Sequence, residues 1–477
     1  MNFDIDKQGQ AIIQGELFDQ IREHFSVENE AAKFQKRYGS GFIQRRNYAI
    51  TPTGRCDPGL ITEVVKYLTA SSYTSKITYS DNLVRVIRPS KNWNINYTTE
   101  PYELNLSLRD YQNHIVKRCL TLGRGTVVLA TAGGKTLTMA SLISRISTFT
   151  TTTFKGLIIV PDRGLVEQTF NDFTEYGVPF TFSKWTGDNN LDISTDIVIA
   201  NLGILQSSKS DLSWINYIDL LVVDEVHKIR KGNKVNKILK KIKTPHKFGF
   251  TGTMPEDKLD QWNIIGKIGP ILYEKNSYEL RLEGYVTNAQ VLKLKLNHKT
   301  RLYPSPDLNP YRQEVDYLIE SKFRNAVIAR LANSADNNML IMVDYIKHGE
   351  NLYDVCKEVC TEKQVYFIQG DVHIDERERV KRLVEQNTNV VVIAISKIFS
   401  TGINIKNLHY ITFAGGGKAK IKIIQSIGRG LRLHENKKKL VIVDISDNFK
   451  YSTEHSLKRN TLYERERIRT QTKEIFE

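Results

Sequence analysis

The stretch TVVLATAGGKTLTMASLI, residues 126–143, combines a strand-like apolar run, a glycine turn and a helix-like continuation. Gly133 and Gly134 lack a Cβ atom, so backbone N–H groups can approach phosphate oxygens closely where the following helix begins. Lys135 would reach the β- and γ-phosphates, and the Thr136 hydroxyl would help to hold Mg²⁺. The pattern therefore predicts a site for the phosphates of a nucleotide; the alternative is a glycine turn that binds nothing.

A second group of reactive residues follows the apolar run DLLVV, residues 219–223. Asp224 and Glu225 come directly after this run, and His227 stands two residues beyond Glu225. In a parallel sheet these residues would lie at the carboxyl edge, where ligands bind. Asp224 could hold Mg²⁺ through water, and Glu225 could orient and deprotonate the attacking water in phosphoryl transfer. The alternative is an exposed acidic pair that caps a helix.

A third group lies in QSIGRGLR, residues 425–432, where Arg429 and Arg432 are roughly one helical turn apart and Gln425 is one turn before Arg429. Guanidinium groups supplied across a cleft stabilise the charge that develops on a transferred γ-phosphoryl group. The two arginines could therefore act on a phosphoryl group. Taken alone, however, the stretch favours the other interpretation, a basic helix face on a positively charged protein.

Two series of short apolar runs, rich in β-branched residues, must position these groups. Such runs suit parallel strands that are buried on both faces, and their alternation with helical segments implies right-handed βαβ units. The runs lie at 126–130, 156–160, 196–200, 219–223 and 247–250, and then at 339–345, 364–370, 390–396, 409–414 and 440–445. Between the two series, residues 302–314 carry three prolines and are interpreted as part of a joint. The sequence thus predicts two α/β domains in tandem.

The two ends of the chain lie outside this pattern. Residues 1–100 predict a small basic α+β domain, in which residues 33–50 interleave aromatic residues with lysine and arginine. This segment is either a solvated hairpin or a nucleic-acid contact, because bases stack on aromatic rings and phosphates attract arginine. The charged residues 448–477 predict a helical tail. The expected domains are therefore 1–100, 101–295 and 296–477.

Composition narrows the class of partner. The chain has 477 residues and a net charge of +15, and such an excess favours a polyanion, either nucleic acid or a membrane surface. The first residues lack the pattern of a secretory signal, and no apolar run approaches the ~20 residues of a membrane span. Nucleic acid is therefore the expected partner. The four cysteines, without a Cys-x-x-Cys pair, are interpreted as reduced, partly buried thiols in a cytoplasmic protein.

Taken in chain order, these stretches resemble the motifs of superfamily-two helicases over about residues 104–445. LRDYQ (108–112) resembles the glutamine motif, ATAGGKT (130–136) motif I, DEVH (224–227) a DExH box, TGT (251–253) motif III, and QSIGRGLR motif VI. VPDRGLVEQ (160–168), WTGD (185–188), MVDYIKHGENL (342–352) and STGINIKNL (400–408) resemble motifs Ia, Ib, IV and V. Within the superfamily, the chain resembles the UvsW-type helicases of tailed bacteriophages, including their C-terminal helix through His455, Tyr463, Glu464 and Arg465.

The resemblance implies two tandem RecA-like, P-loop NTPase domains that use ATP and Mg²⁺. It further implies a 3′→5′ DNA helicase of phage recombination, repair and replication that acts on Holliday junctions, stalled forks and RNA–DNA hybrids, as a monomer in the host cytoplasm. The implied ATP contacts are Tyr111, Gln112, Thr131, Ala132, Gly133, Gly134, Lys135, Thr136, Gly402 and Asn404. The implied coupling residues are His227, Thr251, Gly252 and Thr253. The implied DNA contacts are Arg163, Gly164, Thr186, Gly187, Asn201, Ser400 and Thr401.

Two departures and three alternatives accompany this interpretation. Leu129 replaces a small residue at the start of motif I, and Asn404 stands where many relatives carry an aspartate. Neither departure removes a group that hydrolysis needs. The alternatives are an RNA helicase of the same superfamily, a translocase that moves on duplex without separating strands, and a DNA-binding scaffold with an inactive ATP site.

Overall fold

The computed structural model describes residues 1–29, 32, 45–73, 76–92, 104–147, 153–207, 210–303, 309–369, 374–396, 405–415, 427–428 and 430–477. Their contacts form two compact units. The first unit comprises Met1–Leu129 and Gly134–Glu274, and the second comprises Ala130–Gly133 and Lys275–Glu477. The division into three domains at residues 100 and 295 stays a prediction, since the N-terminal region shares one unit with the first α/β core.

The N-terminal region of the first unit is a small α+β arrangement with its own apolar core. Its elements are β1 (Asn2–Ile5), β2 (Ala11–Gln14), α1 (Phe18–His24), β3 (Ser26–Glu28), β4 (Arg46–Tyr48), β5 (Arg55–Cys56), α2 (Ile61–Ala70), β6 (Thr78–Tyr79) and α3 (Asp81–Ile87). The strands form a mixed sheet in the order β5-β2-β1-β6 and a separate β3-β4 ribbon. Phe3, Ile13, Ile21, Phe25 and Val64 are buried in the core between sheet and helices.

This region packs so closely against the first α/β core at Gly59 that a residue with a side chain could not replace this glycine. A Cβ atom on Gly59 would overlap the carbonyl oxygen of Ile265. Beside this contact, the buried Lys267 forms an ion pair with Asp57. The buried Arg124 donates hydrogen bonds to three backbone carbonyl oxygens, one of which belongs to α3. The N-terminal region is therefore fixed to the core by close backbone approach and by buried charge.

The first α/β core is a seven-stranded sheet with helices between its strands. Its strands are β7 (Gly125–Leu129), β8 (Gly156–Val160), β9 (Phe182–Trp185), β10 (Ile197–Asn201), β11 (Leu220–Val223), β12 (Lys247–Thr251) and β13 (Ile271–Lys275). Its helices are α4 (Asp110–Leu122), α5 (Lys135–Ser147), α6 (Arg163–Glu175), α7 (Leu202–Leu205), α8 (Val235–Lys241) and α9 (Lys258–Lys267). The order is β13-β7-β12-β11-β8-β10-β9, so the five predicted runs form the five inner strands. The edge strands β9 and β13 are partly exposed and gave no continuous apolar run.

The second unit contains the second series of runs in another parallel sheet. It begins with α10 (Ser277–Leu282), β14 (Asn288–Asn297), α11 (Pro310–Glu320), α12 (Lys322–Ser334), β15 (Met339–Val343), α13 (Ile346–Val359) and β16 (Gln364–Ile368). It continues with α14 (Ile374–Gln386), β17 (Val390–Ile395), β18 (Tyr410–Phe413), β19 (Lys439–Asp447), α15 (Lys450–Arg465) and β20 (Arg469–Phe476). The strand order is β16-β17-β15-β18-β19-β14-β20. Two parallel-sheet α/β domains, as predicted, are confirmed.

The prediction of a helical tail over residues 448–477 is wrong beyond α15. The chain leaves that helix and forms β20, which pairs in parallel with β14 from Gln290 opposite Arg469 to Asn297 opposite Phe476. The side chains of β20 are almost all exposed. An edge strand with polar side chains on both faces has no apolar alternation, so its sequence resembles that of a solvated helix.

None of the helices in the described part of the chain combines the length and apolar character that crossing a bilayer requires.

The four cysteines, Cys56, Cys119, Cys356 and Cys360, are free and buried. Burial raises the pKa of each thiol, so these side chains behave as small apolar residues rather than as nucleophiles.

A buried ion pair joins α15 to the second sheet. Arg459 donates from Nε to both carboxylate oxygens of Asp444 at 3.0 Å and from Nη2 at 2.6 Å. The Tyr463 hydroxyl donates to the same carboxylate at 2.9 Å, and Arg459 also reaches the carbonyl oxygen of Ile445. The charge on β19 is therefore paired and fully hydrogen-bonded, which is the condition under which a buried carboxylate is tolerated.

Replacing Arg459 by leucine should lower the free energy of unfolding of the second unit by ~3–5 kcal/mol, because Asp444 would remain buried without its cation. The matched control is Lys458→Leu, which changes an exposed neighbour on the same helix and should alter stability by no more than ~0.5 kcal/mol. Urea unfolding of both variants measures the difference. Equal stability of the two variants would contradict a structural role for the pair.

Candidate functional site

The turn after β7 places its backbone in left-handed conformations at two positions. Ala132 has a φ of 68° and Gly134 a φ of 78°, and the Gly133 N–H donates to the Ala130 carbonyl oxygen at 3.0 Å. Such a change of hand between neighbouring residues directs N–H groups toward a common point and forms an anion-binding concavity. Helix α5 begins immediately afterwards at Lys135. Loop and helix N-terminus thus follow one another as the sequence predicts for a phosphate site.

Gln112 is buried, and two backbone groups hold its side chain. Its Oε1 accepts from the Arg109 N–H at 2.8 Å, and its Nε2 donates to the Gly134 carbonyl oxygen at 3.2 Å. The first bond belongs to the capping box of α4, and the second connects α4 to the glycine turn. A Cβ atom on Gly134 would overlap this Nε2 atom. Gln112 therefore positions the loop; adenine contacts by Gln112 and by its neighbour Tyr111 stay predictions.

Asp224 and Glu225 lie at the carboxyl end of β11, as predicted. The Asp224 N–H donates to the Ile159 carbonyl oxygen at 2.9 Å, which extends the pairing of β11 with β8 by one residue. Burial raises the pKa of Asp224 to about 7, and the neighbouring Glu225 charge adds to this effect. For Glu225, burial acts in the same direction, but Lys135 and a hydrogen bond with His227 outweigh it and lower its pKa to about 2. Asp224 thus binds a proton more readily than the adjacent Glu225 does.

The Glu225 carboxylate is aimed by an unusual backbone conformation. Glu225 has a φ of 48° and a ψ of 47°, the left-handed region, which costs a residue with a side chain roughly 1–2 kcal/mol. This turn leaves its Oε1 3.8 Å from Lys135 Nζ, and both side chains are largely buried. The conformation is maintained although it is costly, which indicates that the direction of this side chain matters for function.

His227 lies beside Glu225 and is hydrogen-bonded to the end of β12. His227 Nδ1 lies 3.1 Å from Glu225 Oε2 and 2.8 Å from Thr251 Oγ1. The Thr251 hydroxyl donates to the Thr253 carbonyl oxygen at 3.0 Å, so it accepts from the histidine, and we assign the proton of His227 to Nδ1. Gly252 lies inside this turn. Of the four predicted coupling residues, only His227 approaches the Glu225 carboxylate, and hydrogen bonds link it through Thr251 to Thr253. Their coupling role stays a prediction.

The predicted DNA contacts of the first unit follow three neighbouring strands. Asn201 pairs with Val160, and Ala200 pairs with Trp185, so β8, β9 and β10 end at the same level of the sheet. The residues at this edge are Arg163, Gly164, Thr186, Gly187 and Asn201. The structure thus brings together residues that the sequence separates by almost forty positions.

Arg163 and Gly187 touch at this edge. Arg163 Nη1 forms an exposed ion pair with Asp188 Oδ2 at 2.7 Å, and a Cβ atom on Gly187 would overlap its guanidinium group. The Thr186 hydroxyl donates to Asn189 Oδ1 at 2.9 Å. Asp188 is the partner that sequence analysis missed, because no periodic pattern connects the first residue of a helix with a loop residue that follows a different strand.

The remaining predicted residues belong to the second unit. Arg432 is described, and its carbonyl oxygen accepts from Thr287 Oγ1 at 3.2 Å. Lys437 is buried close by and donates to the carbonyl oxygens of Lys406 and Gly430; burial, together with Arg432, lowers its pKa to about 8. Ser400, Thr401, Gly402, Asn404, Gln425 and Arg429 lie outside the described residues, so their roles stay predictions.

The fold and site define a superfamily-two, DExH-box helicase. Residues 105–256 match the family described as "Type III restriction enzyme, res subunit", and residues 322–434 match the helicase conserved C-terminal domain. The chain belongs to the UvsW-like ATP-dependent DNA helicases within this superfamily. The members of this class use ATP. In this chain the glycine turn follows β7 and the DEVH sequence follows β11, which are the positions that ATP binding requires.

Two relatives and one solved structure show the extent of the similarity. The ATP-dependent DNA helicase uvsW of Enterobacteria phage T4 is 25% identical over 90% of this chain and 87% of its own length. The DNA 3′-5′ translocase XPB2 of Sulfurisphaera tokodaii is 24% identical over 70% of this chain and 81% of its own. The Type ISP restriction-modification enzyme LlaBIII bound to DNA shares the fold, with a TM-score of 0.58 and 14% identity, over 87% of this chain and 36% of that protein.

Removal of Lys135 or of the Glu225 charge should abolish nucleic-acid-stimulated ATP hydrolysis. Lys135→Ala removes the cation predicted to reach the phosphates, and Glu225→Gln removes the carboxylate predicted to orient water, so each should lower kcat at least ~100-fold. DNA binding, measured by fluorescence anisotropy, should remain within about twofold. Lys117→Ala, an exposed lysine on α4, is the control and should hydrolyse ATP normally. Retained hydrolysis in either site variant would rule out this assignment.

Breaking the hydrogen-bonded chain to β12 should reduce the stimulation of ATPase activity by nucleic acid more than the basal rate. Thr251→Val preserves shape but removes the hydroxyl between His227 and Thr253, so we expect stimulation to fall about tenfold. Thr244→Val is the control, since Thr244 makes a comparable buried bond to the Asp219 carbonyl oxygen at the other end of the same strands. Steady-state ATPase assays with and without DNA measure the ratio. An equal change in both variants would contradict the coupling role.

Proposed function

We propose that this chain is an ATP-driven motor that unwinds or remodels branched DNA, including four-way junctions and regressed forks, in phage recombination, repair and replication. The observation that carries the proposal is the alignment with the phage T4 helicase over 90% of the chain. The two family matches leave residues 1–104, 257–321 and 435–477 uncovered, and the segment between the matches is too short to account for 90% coverage, so this alignment must extend into the terminal regions as well. The likeness is therefore not confined to the motor motifs that many helicases share.

Mg²⁺ fits the carboxyl groups at the end of β11. Asp224 is buried beside a second carboxyl group, and burial together with the Glu225 charge raises its pKa in spite of the Lys135 and Lys228 charges, so a bound divalent cation would favour its charged form. No cluster of three or more potential metal-ligating side chains occurs among the described residues. This suits Mg²⁺, which proteins hold through one or two carboxylates together with substrate phosphates. Asp224 and Thr136 would hold the ion, whose role is to neutralise charge on the transferred phosphoryl group.

Glu225 and Lys135 would change partners when ATP binds. In the structure Lys135 is paired with Glu225, and its charge holds the pKa of that carboxyl low, which makes Glu225 a weak base. When the phosphates of ATP draw Lys135 away, Glu225 loses this cation and its pKa should rise. Glu225 would then accept a proton from the attacking water more readily. Activation of the base is in this way tied to the presence of the substrate.

The second unit would complete the reaction. Arg432, with Gln425 and Arg429, would stabilise charge on the γ-phosphoryl group, and Gly402 and Asn404 would contact the nucleotide. The residues at the ends of β8, β9 and β10, with Ser400 and Thr401, would hold the DNA backbone. Such backbone contacts make binding tolerant of sequence and sensitive to salt. The name of the archaeal relative supports 3′→5′ movement. A monomer in the host cytoplasm is the expectation from sequence.

The test is ATP hydrolysis without nucleic acid and with single-stranded DNA, duplex DNA, a four-way junction or single-stranded RNA at one salt concentration. We expect DNA to stimulate hydrolysis and the junction to stimulate it most, because it offers duplex arms as well as a strand track. Lys135→Ala provides the background rate. Strand separation on duplexes with a 3′ or a 5′ tail then measures polarity.

Two outcomes would overturn the proposal. Stimulation by RNA alone would indicate an RNA helicase. Stimulation by duplex DNA without strand separation on any tailed or branched substrate would indicate a duplex translocase.

A further inference from the structure

A cavity of about 590 Å³ opens between the N-terminal region and the first α/β core. Its volume is within the range of about 300–1,000 Å³ that is usual for sites that bury a ligand. Its apolar wall is formed by α2, α3 and the residues before two strands, and consists of Ile61, Val65, Val84, Ile87, Leu122 and Pro270. All of these residues lie in the first unit.

The cavity lies at the edge of the sheet that the motor does not use. Leu122 and Arg124 precede β7, and Pro270 precedes β13, so the cavity is at the amino ends of these strands. The glycine turn is at the carboxyl end of β7, ~16 Å away along five residues. The predicted DNA contacts after β8, β9 and β10 are also at the carboxyl edge. An occupant of the cavity would therefore obstruct neither ATP nor a DNA strand on that track.

The charged residues that line the cavity are all basic. Lys66, Arg88 and Arg124 line it together with Tyr79, and none of its described lining residues is acidic. The guanidinium group of Arg124 is buried against backbone carbonyl oxygens, whereas Arg88 and Lys66 are exposed at the rim. Lys66 forms an ion pair with Glu63, on the preceding turn of α2, at 2.6 Å. The cavity thus combines an apolar interior with a basic rim in which Arg88 is exposed and Lys66 has one acidic neighbour.

We propose that this cavity is a docking site for a partner protein, which inserts a bulky apolar side chain flanked by aspartate or glutamate residues. The apolar wall would bury the anchor, as pockets at interfaces do for aromatic and large aliphatic residues. Lys66 and Arg88 would pair with the flanking carboxylates, which gives selectivity for acidic segments and a faster association. Because the site is remote from the nucleotide edge, the partner could remain bound throughout the ATPase cycle.

The experiment is fluorescence polarisation of the full chain with labelled synthetic peptides, each carrying one phenylalanine, tryptophan or leucine between aspartates. Matched peptides replace the aspartates with asparagine or the apolar residue with alanine. We expect only the acid-flanked apolar peptides to bind. Lys66→Glu with Arg88→Glu should weaken that binding at least about tenfold, since two attractive charges become repulsive. Ala70→Trp, at an exposed lining position, should weaken it by filling space without changing charge.

The control is Lys7→Glu with Arg85→Glu, which makes the same change in net charge at two exposed positions outside the cavity. It should bind the peptides normally, and all variants should retain DNA-stimulated ATPase activity, which shows that they are folded. The proposal is wrong if no acid-flanked peptide binds, or if both double variants reduce binding equally. It is also wrong if single-stranded DNA displaces the peptide and its own binding falls with Lys66→Glu and Arg88→Glu, because the cavity would then belong to the DNA path.

Discussion

Two neighbouring carboxyl groups at the end of one buried strand set the electrostatic constraint that the first unit must satisfy. Asp224 and Glu225 cannot both carry charge cheaply in this position, and Lys135, the lysine that contacts Glu225, compensates that carboxyl group the more strongly. The result is an unequal pair in which Asp224 binds a proton more readily than Glu225 does. If ATP binds with Mg²⁺ as proposed, the cation would favour the charged form of Asp224, and the loss of Lys135 would raise the pKa of Glu225. Under that proposal the electrostatics of the site would change when its ligand arrives.

The parallel pairing of the strands determines which residues lie near Asp224 and Glu225. Because every inner strand runs the same way, the loops after β7, β8, β10, β11 and β12 share one edge, and residues distant in sequence become neighbours there. The opposite edge receives the N-terminal region, held by the close approach at Gly59 and the Lys267–Asp57 pair. The candidate nucleotide site and the contacts with the N-terminal region are thus separated by the length of a strand.

Sequence reasoning succeeds where a residue's environment is local. A continuous apolar run implies a strand buried on both faces, and a glycine turn or an acidic pair at the end of such a run implies its edge; all ten runs are strands in the structure. It fails where a partner is remote. Nothing near Gln112 indicates that its amide contacts Gly134, and nothing in RTQTKEIF indicates that it pairs with β14. Arg163 and Asp188 meet only because two strands end at one level.

The position of β14 has a consequence for how the protein is made. Both of its neighbours, β19 and β20, are encoded more than 140 residues after it, whereas every strand of the first sheet has been synthesised by residue 275. During translation the first sheet can therefore assemble while β14 still presents two unpaired edges. Such edges invite pairing with other chains, and they are closed only after Arg469–Phe476 has left the ribosome. Synthesis thus exposes the second unit to aggregation for longer than the first.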